Sequence, residues 1–215
     1  MRRTPNSLTT LCSAEDPDQV RAFEDSELEV AIRAALGVGT QAALTFCLIS
    51  GLTELDATAA GITSLVEIEN LTGLTELTLW GNSISDISEL SGLTSLSLRS
   101  NAVSDIGALS GLTSLTDLDL GFNPLSDITA VSGLAQLAVL LLTGDSVSDI
   151  GALVALRRLT SLSLEANADL IDIQALLDNT GLGAGTTVRL GGTSVSCADV
   201  AGLAAKGVDV RSDCP

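Results

Sequence analysis

The stretch LTELTLWGNSISDI, Leu74–Ile87, sets the reading of the whole chain. Its leucines Leu74, Leu77 and Leu79 are spaced by three and then two residues, and Asn82 follows three later. Neither the 3.6-residue period of a helix nor the alternation of a strand gives that spacing. The same pattern recurs as LTSLSLRSN, LTDLDLGFN, LAVLLLTGD and LTSLSLEAN, all of the form LxxLxLxxN. Marking the last position of each unit gives Asn82, Asn101, Asn123, Asp145 and Asn167, at intervals of 19, 22, 22 and 22 residues. LTELDATAA puts Ala60 in phase 22 residues before Asn82, and TTVRLGGT puts Thr193 at the marker 26 residues after Asn167.

A period near 22 falls in the leucine-rich repeat range, where each coil is one short strand plus a returning arc and buries its apolar side only by stacking. The expected fold is a leucine-rich repeat solenoid, a right-handed α/β-type superhelix. It has a parallel concave sheet, short helical turns or irregular arcs on the convex side, and helical caps at both ends. Leu77, Leu96, Leu118, Leu140 and Leu162 form one inward column, and Leu79, Leu98, Leu120, Leu142 and Leu164 the next. Arc columns follow from Ile84, Val103, Leu125 and Val147, and from Ile87, Ile106, Ile128 and Ile150. Each buried aliphatic contributes about 1.5 to 3 kcal/mol, which offsets the entropy of ordering its coil. Aromatics are only 2% of the chain, in keeping with many identical small slots.

The marker asparagine both donates and accepts, so a stack of them can satisfy backbone groups where the chain leaves each strand. Asp145, Ala60 and Thr193 are expected to be weaker rungs. Asp86, Asp105, Asp127, Asp149 and Asp172 are placed to cap a short turn in the arc. FEDSELEVAIRAALG reads as an amphipathic capping helix, with Asp25 or Ser26 as N-cap, Gly37 as its stop, and Leu28, Ala31, Ile32, Ala35 and Leu36 on one face. SCADVAGLAAKG reads as a second capping helix over 196–207. The expected organisation is a flexible leader over 1–19 and a single repeat domain over 20–215, with an N-terminal cap to 51, repeats over 52–175 and a C-terminal repeat and cap over 176–215.

A net charge of −17 with a single lysine, Lys206, argues against nucleic acid, whose phosphates need Lys and Arg. No apolar run reaches 18 residues, so no membrane-spanning helix is expected. With no histidine, acid–base catalysis would need a carboxylate pair or a perturbed lysine. Asp117 and Asp119 share a strand face, but that face is open to water. Gly181–Gly185, GLGAG, lacks the lysine and helix of a phosphate loop. The chain reads as a non-enzyme without cofactor or metal.

Alternation points the residues six, four and two before each marker out of the concave face. The candidate binding residues are therefore Glu76, Trp80, Arg99, Asp117, Asp119, Val139, Leu141 and Glu165, with Phe122 at a strand exit. Trp80 is the only tryptophan and fills no core slot, and exposed Trp and Arg are enriched among interface hot spots. A stack of Trp80 on Arg99 is the plain structural alternative. Val139 and Leu141 turn apolar side chains outward. Strands about 4.8 Å apart separate Cys47 from Cys197 by about 30 Å, beyond the roughly 7 Å limit between Cα atoms of a disulfide. This leaves Cys12–Cys47 and Cys197–Cys214 as the expected pairs, one in each cap.

The unit LTGLTELTLWGNSISDISEL resembles the internalin-type leucine-rich repeats of bacterial surface and secreted proteins, and the segments FEDSELEVAIRAALG and NTGLGAGTTVRLGGTSVSCADVAGLAAKGVDVRSDC resemble caps of the same group. The resemblance implies a curved, non-enzymatic scaffold that binds a protein or glycan on its concave face. The expected partner is a protein ligand, a basic surface being the kind that would suit the acidic charge, and the expected state is a monomer. Disulfides imply export, so a secreted or cell-surface location is expected, or a cytoplasmic one if the cysteines stay reduced. The alternative function is an intracellular regulatory subunit docking on an enzyme. Finally, the 19-residue interval between Asn82 and Asn101 places a missing triplet in the returning arc. The strand ladder should then be unbroken and the convex side pinched over 88–95, where Leu90 and Leu93 must fill the arc's slots.

Overall fold

The computed structural model describes residues 21–215. Each LxxLxLxxN segment supplies one three-residue strand: β1 (Glu54–Asp56), β2 (Glu76–Thr78), β3 (Ser95–Ser97), β4 (Asp117–Asp119), β5 (Val139–Leu141) and β6 (Ser161–Ser163). TTVRLGGT supplies β7 (Thr187–Arg189), and the terminal VDV segment adds β8 (Asp209–Arg211). All eight lie parallel in one sheet, in chain order. The register runs leucine to leucine through Leu55, Leu77, Leu96, Leu118, Leu140 and Leu162, then to Val188 and Val210. A one-residue slip would expel every one of these side chains, so the leucine spacing fixes the register. Both strand columns and both arc columns expected from the sequence are buried in one continuous core.

The marker asparagines do as expected. Asn101 Nδ2 donates to Leu79 O and Leu98 O while its Oδ1 accepts from Ile84 N–H. Asn123 and Asn167 repeat that pattern with Leu98, Leu120 and Val103, and with Leu142, Leu164 and Val147. The residue before each marker turns the corner with positive φ: Gly81 and Gly144, but also Ala59, Ser100, Phe122 and Ala166. In the arcs, Asp86, Asp105, Asp127, Asp149 and Asp172 each accept from the N–H two residues on. Short 3-10 turns follow at Gly107–Gly111, Thr129–Gly133 and Gly151–Ala155, and a helix, α3 (Gln174–Asp178), in the sixth arc.

The coil between Asn82 and Asn101 lacks such a turn, while β2 and β3 pair without a break. Leu90 and Leu93 stand in for Leu109, Leu112 and Leu115 of the next coil, and the shorter arc leaves a small cleft lined by Leu71, Leu74 and Leu90. The missing triplet therefore lies behind the sheet.

Helix α1 (Ser26–Leu36) closes the N-terminal end, burying Leu28 and Ile32, with Gly37 as its left-handed C-cap. Ala35, expected on the buried face, is exposed because it lies at the margin of that stripe. Asp25 is the N-cap: Oδ1 accepts from Glu27 and Leu28, and Oδ2 accepts from Thr63 and Ser64 of the first coil. Burial raises its pKa, but the bonds from Thr63, Leu28 and Ser64 outweigh this and hold it below the usual value. A short helix, α2 (Phe46–Ile49), leads into β1. At the other end α4 (Cys197–Ala205) runs beside β8, capped by Ser196. Cys197 and Cys214 are bonded, with Cα atoms 5.5 Å apart. Lys206 reaches back to the end of α3, donating to Leu176 O, Leu177 O and Asn179 O. The other expected pair, Cys12–Cys47, and the expected leader over 1–19 involve positions outside the described residues.

Candidate functional site

The strand-exit rim of the concave face carries the most distinctive surface. Trp80 and Arg99 occupy equivalent positions two residues before their markers, on adjacent coils joined by a bond from Gly81 N–H to Arg99 O. Trp80 is 49% exposed and Phe122 46% exposed, although both are large apolar side chains. Phe122 holds the left-handed corner with φ 59°, a conformation that costs a non-glycine residue about 1 to 2 kcal/mol. The ring is held sideways along the rim by two contacts. The guanidinium carbon of Arg99 lies 4.5 Å from the ring centroid. On the other side the ring lies against Gly144, where an added Cβ would sit 2.7 Å from it.

The alternative, a stack of Trp80 on Arg99, is not what forms: Arg99 turns to Phe122 on the coil after it. The positive φ of Phe122 explains this, because the corner throws its side chain along the rim towards the neighbouring coil. Arg99 makes no salt bridge; among the described residues the ion pairs are Arg33–Glu29 and Arg211–Asp209. Asp119 and Asp145 both feel its charge. Burial raises the pKa of Asp119 despite a bond from Gly121 N–H and the opposing charge of Arg99.

Asp145 breaks the asparagine ladder beneath this rim. Its residue is only 8% exposed, Oδ1 accepts from Asn123 N–H, and Oδ2 has no partner. Leu98 O receives two amide bonds, from Asn101 and Asn123, whereas Leu120 O receives one, from Asn123, and Leu142 O one, from Asn167. Burial pushes Asp145 up to about 7, helped by the charge of Asp119 and opposed by Asn123 N–H and Arg99.

The family model for leucine-rich repeats (two copies) matches residues 91–134. Internalin C2 from Listeria monocytogenes superposes with a TM-score of 0.66 at 26% identity, over 88% of this chain and 94% of its own. An internalin, InlF, from the same organism gives 0.65 at 26% identity, over 90% of this chain and 72% of its own. The chain folds as a leucine-rich repeat solenoid and is similar to these internalins. The functional domain of InlJ, again from Listeria monocytogenes, gives 0.73 at 25% identity over 86% of this chain, which spans only 41% of that one. That protein includes a cysteine ladder; here leucines and, in β7 and β8, Val188 and Val210 fill the inward strand column, and no cysteine lies within β1–β8. None of the curated proteins compared matches the sequence.

Solenoids of this kind are repeat scaffolds that bind proteins on an extended concave surface. On that surface the sheet brings together Trp80, Arg99, Asp119 and Phe122 at the strand exit. Asp117, whose carboxylate accepts from Thr116 Oγ1, lies at the entry end of β4. Val139 and Leu141 are half-buried on β5, next to Asp117 and Asp119 in register. Glu76 stands apart on β2, exposed and paired in register with Glu54. Glu165 joins a polar chain in which Ser163 Oγ donates to it and shares a bond with Thr143 Oγ1. Asp145 was legible as a weak rung, but its position beneath Asp119 and Arg99 was not, since the link runs between coils.

Proposed function

We propose that this protein is a non-enzymatic recognition module, secreted or held at a cell surface, that binds a protein partner on its concave face. The carrying observation is the pair of half-exposed aromatic rings, Trp80 and Phe122, on either side of a guanidinium with no salt bridge. Aromatic and arginine side chains grouped at the edge of a rigid sheet supply large contact area at small entropic cost, which is the composition of interface hot spots. Val139 and Leu141 extend the patch across the sheet, and the acids Glu76, Asp117, Asp119 and Glu165 around it favour a partner with a basic surface. The disulfide in the C-terminal cap supports an oxidising location.

The test is paired affinity capture from culture supernatant and from lysate, using the native chain and Trp80→Ala as baits, each verified by circular dichroism. A partner held by the native chain and weakened at least about 30-fold by Trp80→Ala, equivalent to about 2 kcal/mol, is the expected result. A partner retained equally by both baits would remove the rim from the binding site.

A further inference from the structure

The two ends of the sheet are finished differently. At the N-terminal end α1 packs against β1. At the C-terminal end, among the described residues, β8 is last in the strand order and pairs only with β7. Asp209 N–H donates to Thr186 O, and Arg211 O accepts from Leu190 N–H, so both residues turn their backbone groups towards β7. Successive residues of a strand direct these groups to opposite sides, which turns the N–H and C=O of Val210 away from the sheet. The strand is rigidly held, because the disulfide from Cys214 to Cys197 ties down the segment that follows it.

We propose that β8 is a homodimerisation strand, pairing antiparallel with β8 of a second copy about a two-fold axis at Val210. An antiparallel pair centred on one residue exchanges both backbone bonds there, and Val210 offers one donor and one acceptor on the required side. The register then sets Asp209 of each copy opposite Arg211 of the other. In the single chain these side chains are 58% and 64% exposed and meet each other at 3.4 Å, and Asp209 also accepts from Thr187 Oγ1 on β7. Short strands with charged side chains usually protect a sheet edge from pairing. Here the two charges are opposite and symmetric about Val210, so the two-fold operation turns them into two cross-strand ion pairs. The interface is isologous and closes at two copies. Beside the strand, α4 presents Ala201, Ala204 and Ala205 to solvent, with no long side chain at these positions to hold a second copy away.

Sedimentation velocity on the full chain tests this at about 5 µM and about 0.2 mM, spanning the range in which small interfaces associate. Mass should double towards the higher concentration. Val210→Pro removes the outward N–H without touching a bond to β7, and should leave a folded monomer. Arg211→Asp sets carboxylate against carboxylate and should do the same, while the exchange Asp209→Arg with Arg211→Asp should restore the dimer. A native chain that stays monomeric at the higher concentration overturns the proposal, as does a dimer that survives Arg211→Asp or is not regained by the exchange.

Discussion

Replacing Asp145 with asparagine should stabilise this protein, by an amount that depends on pH. In the fold the carboxyl titrates at about 7 instead of its ordinary 3.8, chiefly because it is buried. An acid with a raised folded pKa keeps its proton in the native state while the unfolded chain releases it. Stability is therefore greatest below about 4, falls as pH rises towards 7 and levels off above that. The full span, at about 1.4 kcal/mol per tenfold change in proton affinity, is about 4 kcal/mol at pH 8. An asparagine has no charge to bury, and its amide can donate to Leu120 O and Leu142 O, the carbonyls that receive one such bond where Leu98 O receives two. One added hydrogen bond contributes about 1 kcal/mol, so the gain should be about 1 kcal/mol at pH 4 and about 4 to 5 kcal/mol at pH 8. For a chain of this size the larger figure raises Tm by about 10 °C. Urea unfolding followed by circular dichroism at both pH values measures the difference directly. A gain that is the same at pH 4 and pH 8, or a less stable variant at pH 8, would refute the account of Asp145 as an ionisable break in the ladder.

Asp25→Ala should cost about 2 kcal/mol, since it removes the cap of α1 and its bonds to the first coil. Because its folded pKa is lowered, that contribution is present above pH 3.8 and disappears as pH falls through the folded value, which acid titration of native and variant melts would show. Lys206→Met should cost about 2 to 3 kcal/mol by leaving three carbonyls at the end of α3 without their cation, with hydrogen exchange rising over 174–179. Cys214→Ser opens a loop with a sequence separation of 17 and should cost about 3 kcal/mol in thermal unfolding.

The repeat fold was legible because the leucine columns are a steric code: three-two spacing admits one strand phase, and Leu96 and Leu98 hold that phase even in the shortened coil. Asn82 to Asn167 announced the ladder for the same reason, since a side chain that both donates and accepts has an obvious partner at every strand exit. The rim was less legible. Trp80 and Arg99 were visible as exposed neighbours, but their pairing depended on where Phe122 aims its ring, and that is set by a positive φ that leaves no mark in the sequence. Lys206 and Leu176 lie 30 residues apart, and their contact exists only because the cap folds back on the preceding arc. The titration of Asp145 required knowing that Asp119 and Arg99 sit above it on other coils.

The amide ladder has a direction. Each asparagine serves its own strand exit and the one before it: Asn82 secures Gly61 and Ile62, Asn101 secures Ile84, Asn123 secures Val103, and Asn167 secures Val147. Within this ladder, removing a coil from the C-terminal side leaves backbone groups of its predecessor unsatisfied, while removing one from the N-terminal side unpairs only the successor's asparagine side chain, as with Asn101 and Leu79 O. At Asp145 the chain of support is interrupted, since the carboxylate takes Asn123 N–H in place of the usual arc N–H. The solenoid should therefore unravel in two blocks, the coils from Asp145 onward opening first and the coils up to Asn123 persisting as a shorter stack.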